Sequence, residues 1–297
     1  MTASDSTRKW PIRPATSLTG VVVGCLAAGL ALTGCARSFV DDLPSVLYGH
    51  ATGATDVLVS IDVGTGGEPL EVSFRNSAEF VLLGDRTAIA PAPVPDIFPG
   101  PAIDPLRSVM LTEERIQGLF RAADDAGLLE GEIDYGDPGW THMAYTLVNV
   151  TVGGRTISQS AAGLGMDYDS SPELSGGQRD ARVALRGFID TARALVGADS
   201  AQYAPTGVVV HRVSPGESNS VDPDLEPDPV PWPITTAPPA LPAMNFDACV
   251  VVTGPEVPTL LAALDQADEL TPWVIGADPP QRMAFRPMLA DDPGCPE

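Results

Sequence analysis

Three histidines, His50, His142 and His211, are the side chains best suited to moving a proton or holding a metal at neutral pH. None stands in an HExxH pair or beside another ligand at a metal-binding spacing, so each reads first as a surface or strand-edge residue. His142 has the most suggestive setting. It closes "YGDPGWTH", where a turn built on glycine and proline could aim Asp137 at the imidazole. The same residues also describe a plain loop whose Trp140 covers a sheet edge. Trp140 and His142, with Trp232, Trp273 and Arg286, form the candidate binding surface. Aromatic faces and a guanidinium suit stacking and hydrogen bonding; they equally suit a core with an ion pair at its rim.

Other chemistries find less support. The glycine stretches "VGTGGEP" and "ELSGGQRD" lack the GxxxxGK[ST] pattern, and neither follows a strand and opens a helix at dinucleotide-binding spacing. No serine sits in GxSxG. Asp167, Asp169, Glu173 and Asp180 hint at calcium, without the EF-hand pattern; a solvated loop before a helix describes them as well. No catalytic residue, cofactor or metal ligand is assigned.

The cysteines carry a firmer pattern. An uncharged stretch from Pro14 to Ala36 follows Arg8, Lys9 and Arg13, and its apolar part, Val21 to Leu32, has the length of a signal-peptide h-region. It ends in Leu32-Thr33-Gly34-Cys35, which resembles the lipobox of bacterial lipoproteins. The resemblance implies a lipid on the Cys35 sulfur and cleavage before it. Residues 1–34 are then a signal peptide, 35–54 a lipidated tether, and the protein sits on the extracytoplasmic face of the cell membrane. The alternative is an uncleaved anchor helix. The stretch is long enough to span a bilayer, but Gly20, Gly24, Gly29 and Gly34 make it a poor permanent span. Two or three acyl chains, at about 0.8 kcal/mol per buried CH2, hold a protein without any span.

Cys25 leaves with the signal and Cys35 takes lipid, so Cys249 and Cys295 remain in a compartment that permits disulfides. Metal binding is the weaker alternative, with no CxxC or nearby histidine. A bridge would close a loop of about 45 residues, worth about 4 kcal/mol in the chain-entropy view. Removing residues 1–34 takes three of the 17 basic and one of the 39 acidic residues, leaving a net charge of −24 and no lysine. Such a surface repels phosphate backbones, which argues against nucleic acid as a partner.

The elements that must position these residues follow from periodicity. "TDVLVSIDVGTGGEP" alternates Val57, Val59, Ile61 and Val63 against Leu58, Ser60 and Asp62, as a strand does before a glycine turn. Residues 80–90 read as a hairpin turning at Gly84-Asp85. Residues 91–105 hold six prolines and read as an extended loop with Ile97 and Phe98 tucked down. Thr112 caps an amphipathic helix that stops near Gly127. Gly153-Gly154 joins two strands. Ser175 and Gln178 match a capping box, opening a helix with Leu185, Phe188, Ile189 and Ala192 on one stripe. "GVVVHRV" is a strand, and the proline-rich acidic stretch 214–243 is a linker or a wrapped arm on which Trp232 and Ile234 should dock. The end reads as a strand, a helix over 253–267, a short strand at Trp273 and a last strand over 283–285.

The expected fold is α+β: antiparallel hairpins with two to three helices packed on one face, a proline-rich acidic arm and a small disulfide-closed C-terminal unit. Strands and helices do not alternate over long runs, which disfavours a doubly wound sheet. The parts are a main α+β domain over 55–213, the arm over 214–243 and a C-terminal α+β unit over 244–297. "LTEERIQGLFRAADDAGLL", "YGDPGWTHMAYTLVNVTVGGRTISQSAAGLG", "EPDPVPWPI" and "ADELTPWVIGADPPQRMAFRPMLADDPGC" resemble lipoproteins of actinobacteria, and the middle part resembles a wider bacterial domain of unknown function. That resemblance implies export and an α+β fold, and no activity. Two functions stay open: a non-catalytic binding module for an envelope protein or glycan, and a cell-wall hydrolase using paired carboxylates.

Cys35→Ala is expected to leave the precursor uncut and unlipidated. Intact mass and labelled-palmitate incorporation check this; cleavage after Gly34 in the variant would overturn it.

Overall fold

The structure is a computed structural model that describes residues 47–64, 66, 67, 70–213, 225, 227–238, 249–290, 292, 294 and 295. The signal segment 1–34, Cys35, the tether as far as residue 46 and most of the 214–243 arm lie outside the described residues.

The first sheet grows around β1 (Val57–Gly64), which pairs with β2 (Phe80–Leu83) on one side and β5 (Tyr145–Val152) on the other. β3 (Thr87–Pro91), β4 (Leu106–Met110), β6 (Arg155–Ala162) and β7 (Ala201–Tyr203) complete an all-antiparallel sheet in the order β6-β5-β1-β2-β3-β4-β7. Simple alternation fails at one point. Val57 lies opposite Leu83 and Val59 opposite Leu82, so the strand bulges at Leu58. Leu58 then joins Val59 and Ile61 in the core. Val57 turns to the other face and packs with Val81, Leu83 and Ile89.

Two helices cover the core face. α2 (Glu113–Asp125) begins at Thr112, whose hydroxyl accepts from Arg115 N, and ends in paired bonds from Gly127 N to Asp124 O and Leu128 N to Ala123 O. α3 (Gly176–Arg193) opens with the reciprocal Ser175–Gln178 capping box. Ile116, Phe120, Leu185 and Phe188 lie buried against Phe80, Leu82 and Val148. Full burial of side chains this size contributes about 1.5–3 kcal/mol each. Gly153 and Gly154, both at positive φ, make the two-residue turn between β5 and β6.

β8 (Gly207–Arg212) leaves the first sheet behind. All six of its residues are buried, as in a strand flanked on both edges and both faces. Its partners are β10 (Cys249–Thr253) and β12 (Gln281–Met288), in a second sheet ordered β10-β8-β12-β11-β9, with β11 (Pro272–Val274) and β9 (Val230–Pro231) parallel at its end. α4 (Val257–Leu264) packs on one face against Val208, Val210 and Phe285. The short helix α1 (Leu70–Arg75) brings Phe74 to the other face, against Val209 and Ala284. Cys249 and Cys295 form a disulfide, Cα atoms 5.5 Å apart. Beside it Arg286 makes two 2.8 Å bonds to Asp292 and one of 3.0 Å to Gly294 O, and lies 5.0 Å from the centre of the Phe74 ring. The tail is thereby strapped to the second sheet.

The described part of the arm docks. Trp232 N donates to Val274 O, its indole packs edge-on to Trp273 and stacked on Phe285, and Ile234 joins the same core. The proline-rich loop differs from expectation: Ile97 and Phe98 are 65% and 64% exposed. The loop is tied at its base, where Gly100 and Pro101 meet Glu269 and Arg75, so its tip stands out from the sheet.

Glu256 holds the arm, accepting from the backbone N–H and hydroxyl groups of both Thr235 and Thr236. Those donors favour the ionised carboxylate and lower its pKa from 4.5 to about 2. A depressed carboxylate stabilises the docked arm above its ordinary pKa, and that stabilisation is lost as pH falls from there through the folded value. Trp232 fluorescence should therefore change between about pH 5 and pH 2, and Glu256→Gln should remove the transition.

Candidate functional site

The candidate site lies where β1 ends at Gly64, β5 begins at Tyr145 and β6 ends at Ala162. Three loops meet there under α3, and one side chain brings them together. Arg182 sits in the apolar stripe of α3 and is 0% exposed. Its Nε donates to Asp169 Oδ1 at 2.6 Å, Nη1 to Tyr135 O at 3.2 Å, and Nη2 to Ala162 O at 2.8 Å and Gly163 O at 2.5 Å. One turn further along, Arg186 ion-pairs the other Asp169 oxygen at 3.0 Å. Burying a guanidinium is tolerable only when its N–H groups find acceptors, and here they are drawn from three separate segments.

The loops are pressed close. A Cβ on Gly66 would come within 2.1 Å of the Met143 carbonyl carbon, and one on Gly163, at φ +54°, within 2.6 Å of Met143 Sδ. His142 itself adopts φ +61°, a left-handed conformation that costs a non-glycine residue about 1–3 kcal/mol. Between the loops and α3 lies a cleft of about 640 Å³. Val63, Met143, Leu164 and Ile189 give it apolar walls, with His142, Tyr168, Asp190 and Arg193 among them. Arg193 ion-pairs Glu79 across it at 3.0 Å. Trp140, 62% exposed, stands at the rim edge-on to Tyr168, ring centres 5.7 Å apart.

Of the residues singled out in the sequence, Trp140 and His142 come together here. Asp137 does not reach His142: its carboxylate accepts from Gly139 N at 2.8 Å, within its own turn. Trp273 is 1% exposed and Trp232 packs on it, so both belong to the core of the second sheet. Arg286 is engaged with the C-terminal tail. The histidines lie apart: His50 contacts Glu113 at the start of α2, and His211 packs on Phe74. Asp169, one of the acids with a calcium-like spacing, is held by Arg182 and Arg186. Among the described residues no three His, Cys, Asp or Glu side chains form a metal-binding group.

Sequence reasoning missed Arg182, Arg186, Arg193, Tyr168 and Glu79. A signal for the arginines was present. Arg182, Leu185, Arg186, Ile189 and Arg193 fall at i, i+3, i+4, i+7 and i+11, so the arginines lie along the side of α3 that carries the apolar stripe, Arg182 buried within it and Arg186 and Arg193 at its edge. A charge within such a stripe either is paired in the core or lines a cavity. Glu79 and Tyr168 reach the cleft through tertiary packing, which no spacing announces.

A second pair of carboxylates, Asp104 and Glu269, gathers at Arg75. Arg75 bonds Glu269 Oε2 at 2.5 Å and stands 3.9 Å from Asp104 Oδ1. Burial raises the Asp104 pKa, opposed by Arg75 and supported by the charge of Glu269. Compared with family models, with curated proteins and with solved structures, the chain matches none.

Arg182→Met keeps the bulk of the stripe but strands Asp169 Oδ1 and three carbonyls. Its expected cost is about 3–5 kcal/mol, read from denaturant midpoints. Adding Asp169→Asn should recover part of that loss, because the two residues are directly coupled.

Proposed function

We propose that the protein is an exported lipoprotein, held by Cys35 on the extracytoplasmic face of the cell membrane. Its folded part is a non-catalytic binding module that takes an envelope protein or glycan at the Trp140–His142 cleft. The observation that carries the binding reading is how the acids about the cleft are engaged. Glu79, on its lining, is held by Arg193 at 3.0 Å, and Asp169, beside it, by Arg182 and Arg186; the other acid on the lining is Asp190, exposed on α3. A carboxylate whose oxygens are taken up by guanidinium donors is poorly placed to meet a glycosidic oxygen or a water as acid or base. What remains is a recognition surface: an aromatic rim, apolar walls and guanidiniums that offer spare donors.

Gly49 O accepts from Gly153 N, so the first described residues lie beside the β5–β6 turn, at the opposite end of those strands from the cleft. The anchor rests on Leu32-Thr33-Gly34-Cys35 and on the resemblance to actinobacterial lipoproteins.

The paired-carboxylate hydrolase has Asp104 and Glu269 to draw on. Both oxygens of Glu269 are engaged, one by Arg75 and one by Gly100 N at 2.6 Å, which disfavours it as a nucleophile or base. Capture of the tagged, lipidated protein from its own membranes tests the choice. Binding is expected to yield a reproducible partner that is lost in Trp140→Ala/Arg193→Ala. No partner, together with turnover of wall glycan that Asp104→Asn abolishes, would replace binding with hydrolysis.

A further inference from the structure

A groove of about 550 Å³ lies between the β4–β7 edge of the first sheet and α4 of the second. Leu106 and Leu264 are buried in its walls; Ile103, Tyr203 and Leu261 are half-buried there. Its volume falls within the range of small-molecule sites. Four prolines, at 101, 105, 205 and 287, also line it, and their fixed φ resists the collapse that would close an empty apolar space. The loop on one side is tied to the end of α4. Ala102 N donates to Ala267 O, Glu269 N to Gly100 O, and Gly100 N to Glu269 Oε1. The groove is therefore built in advance of any ligand.

Its electrostatics are unbalanced. Asp104 and Asp265 face the groove, and Glu269 stands behind. The nearby cation, Arg75, is committed elsewhere: it bonds Glu269 at 2.5 Å and Pro101 O at 2.6 Å, leaving Asp104 at 3.9 Å, beyond hydrogen-bond length. A partly buried carboxylate at the mouth of apolar walls lacks a close cationic donor. Burial already strains its charge, and raises its pKa, so a cation arriving there gains both a hydrogen bond and a poorly solvated partner.

We infer that this groove is a binding site for a small apolar molecule carrying a protonated amine, the amine on Asp104 and the apolar part between Leu106, Tyr203 and Leu261. The site is independent of the Trp140–His142 cleft. Charge selects the head group, since an anionic head would meet Asp104, Asp265 and Glu269. Wall chemistry selects the tail.

Three probes below their micellar concentration separate the contributions: octylammonium, octanoate and ethylammonium. They are added to the full-length chain carrying Cys35→Ala, with the methyl signals of Ile103, Leu106, Leu261 and Leu264 followed by NMR. Octylammonium is expected to saturate and shift these methyls. Octanoate and ethylammonium should each bind at least about tenfold more weakly, because one lacks the ion pair and the other the apolar burial. Asp104→Asn should lower octylammonium affinity about tenfold. Ethylammonium binding as tightly as octylammonium would reveal only attraction to an acidic surface and would overturn the inference. So would octanoate binding equally well, or shifts confined to methyls elsewhere. Should Asp104→Asn fail to fold, Asp104→Glu, which keeps the charge, must retain octylammonium binding, and Leu261→Ala must weaken it.

Discussion

A guanidinium removed from water needs an acceptor for each N–H it turns inward, and Arg182 meets that demand from residues far apart in the chain. Tyr135, Ala162, Gly163 and Asp169 supply the oxygens. The loop before β5, the end of β6 and the turn after it are thereby fixed to the underside of α3. The tight contacts of Gly66 and Gly163 on Met143 and the left-handed backbone of His142 follow from that convergence. So does the cleft, which is the space the three loops leave when they are held by one side chain and not by a continuous apolar core.

The same device recurs. Arg75 joins α1 to Glu269 and Pro101, across the two sheets, and Arg286 joins β12 to Asp292, Gly294 and Phe74. Every basic residue after Lys9, histidine aside, is arginine. A lysine offers three donors from a single point, whereas the planar guanidinium offers five in a fork and can satisfy several carbonyls at once. In a chain with so large an acidic excess, the few cations serve mainly as internal ties. Ion pairing of this kind gives modest net stability but penalises other arrangements, since a misplaced loop would leave a buried charge unmet.

The two hollows differ in how far that accounting is completed. At the Trp140–His142 cleft, arginines and acids are matched, and exposed aromatic and guanidinium surface is left for recognition. At the Asp104 groove, acids outnumber the one arginine, and the prolines keep the apolar walls apart. One chain thus carries a neutralised site at the end of the first sheet and an uncompensated one at the junction with the second.

Local chemistry determined much of this fold before any long-range contact was known. The caps at Thr112 and Ser175, the stop at Gly127, the Gly153-Gly154 turn and the pairing of the last two cysteines depend on neighbouring residues or on simple elimination, and each was legible. The docking of Trp232 was legible too, because a free proline-rich linker has no use for an indole. Three things were decided by tertiary structure alone. The bulge at Leu58 shifts the facing of β1, and only the register against β2 reveals it. Ile97 and Phe98 stand exposed because their loop is tied at its base, not along its length. The cleft is assembled from residues as distant as Glu79 and Arg193, whose meeting depends on how α3 lies over the sheet. Periodicity reports which side of an element is buried; it carries no information on which other element will cover it, and sites are made where elements meet.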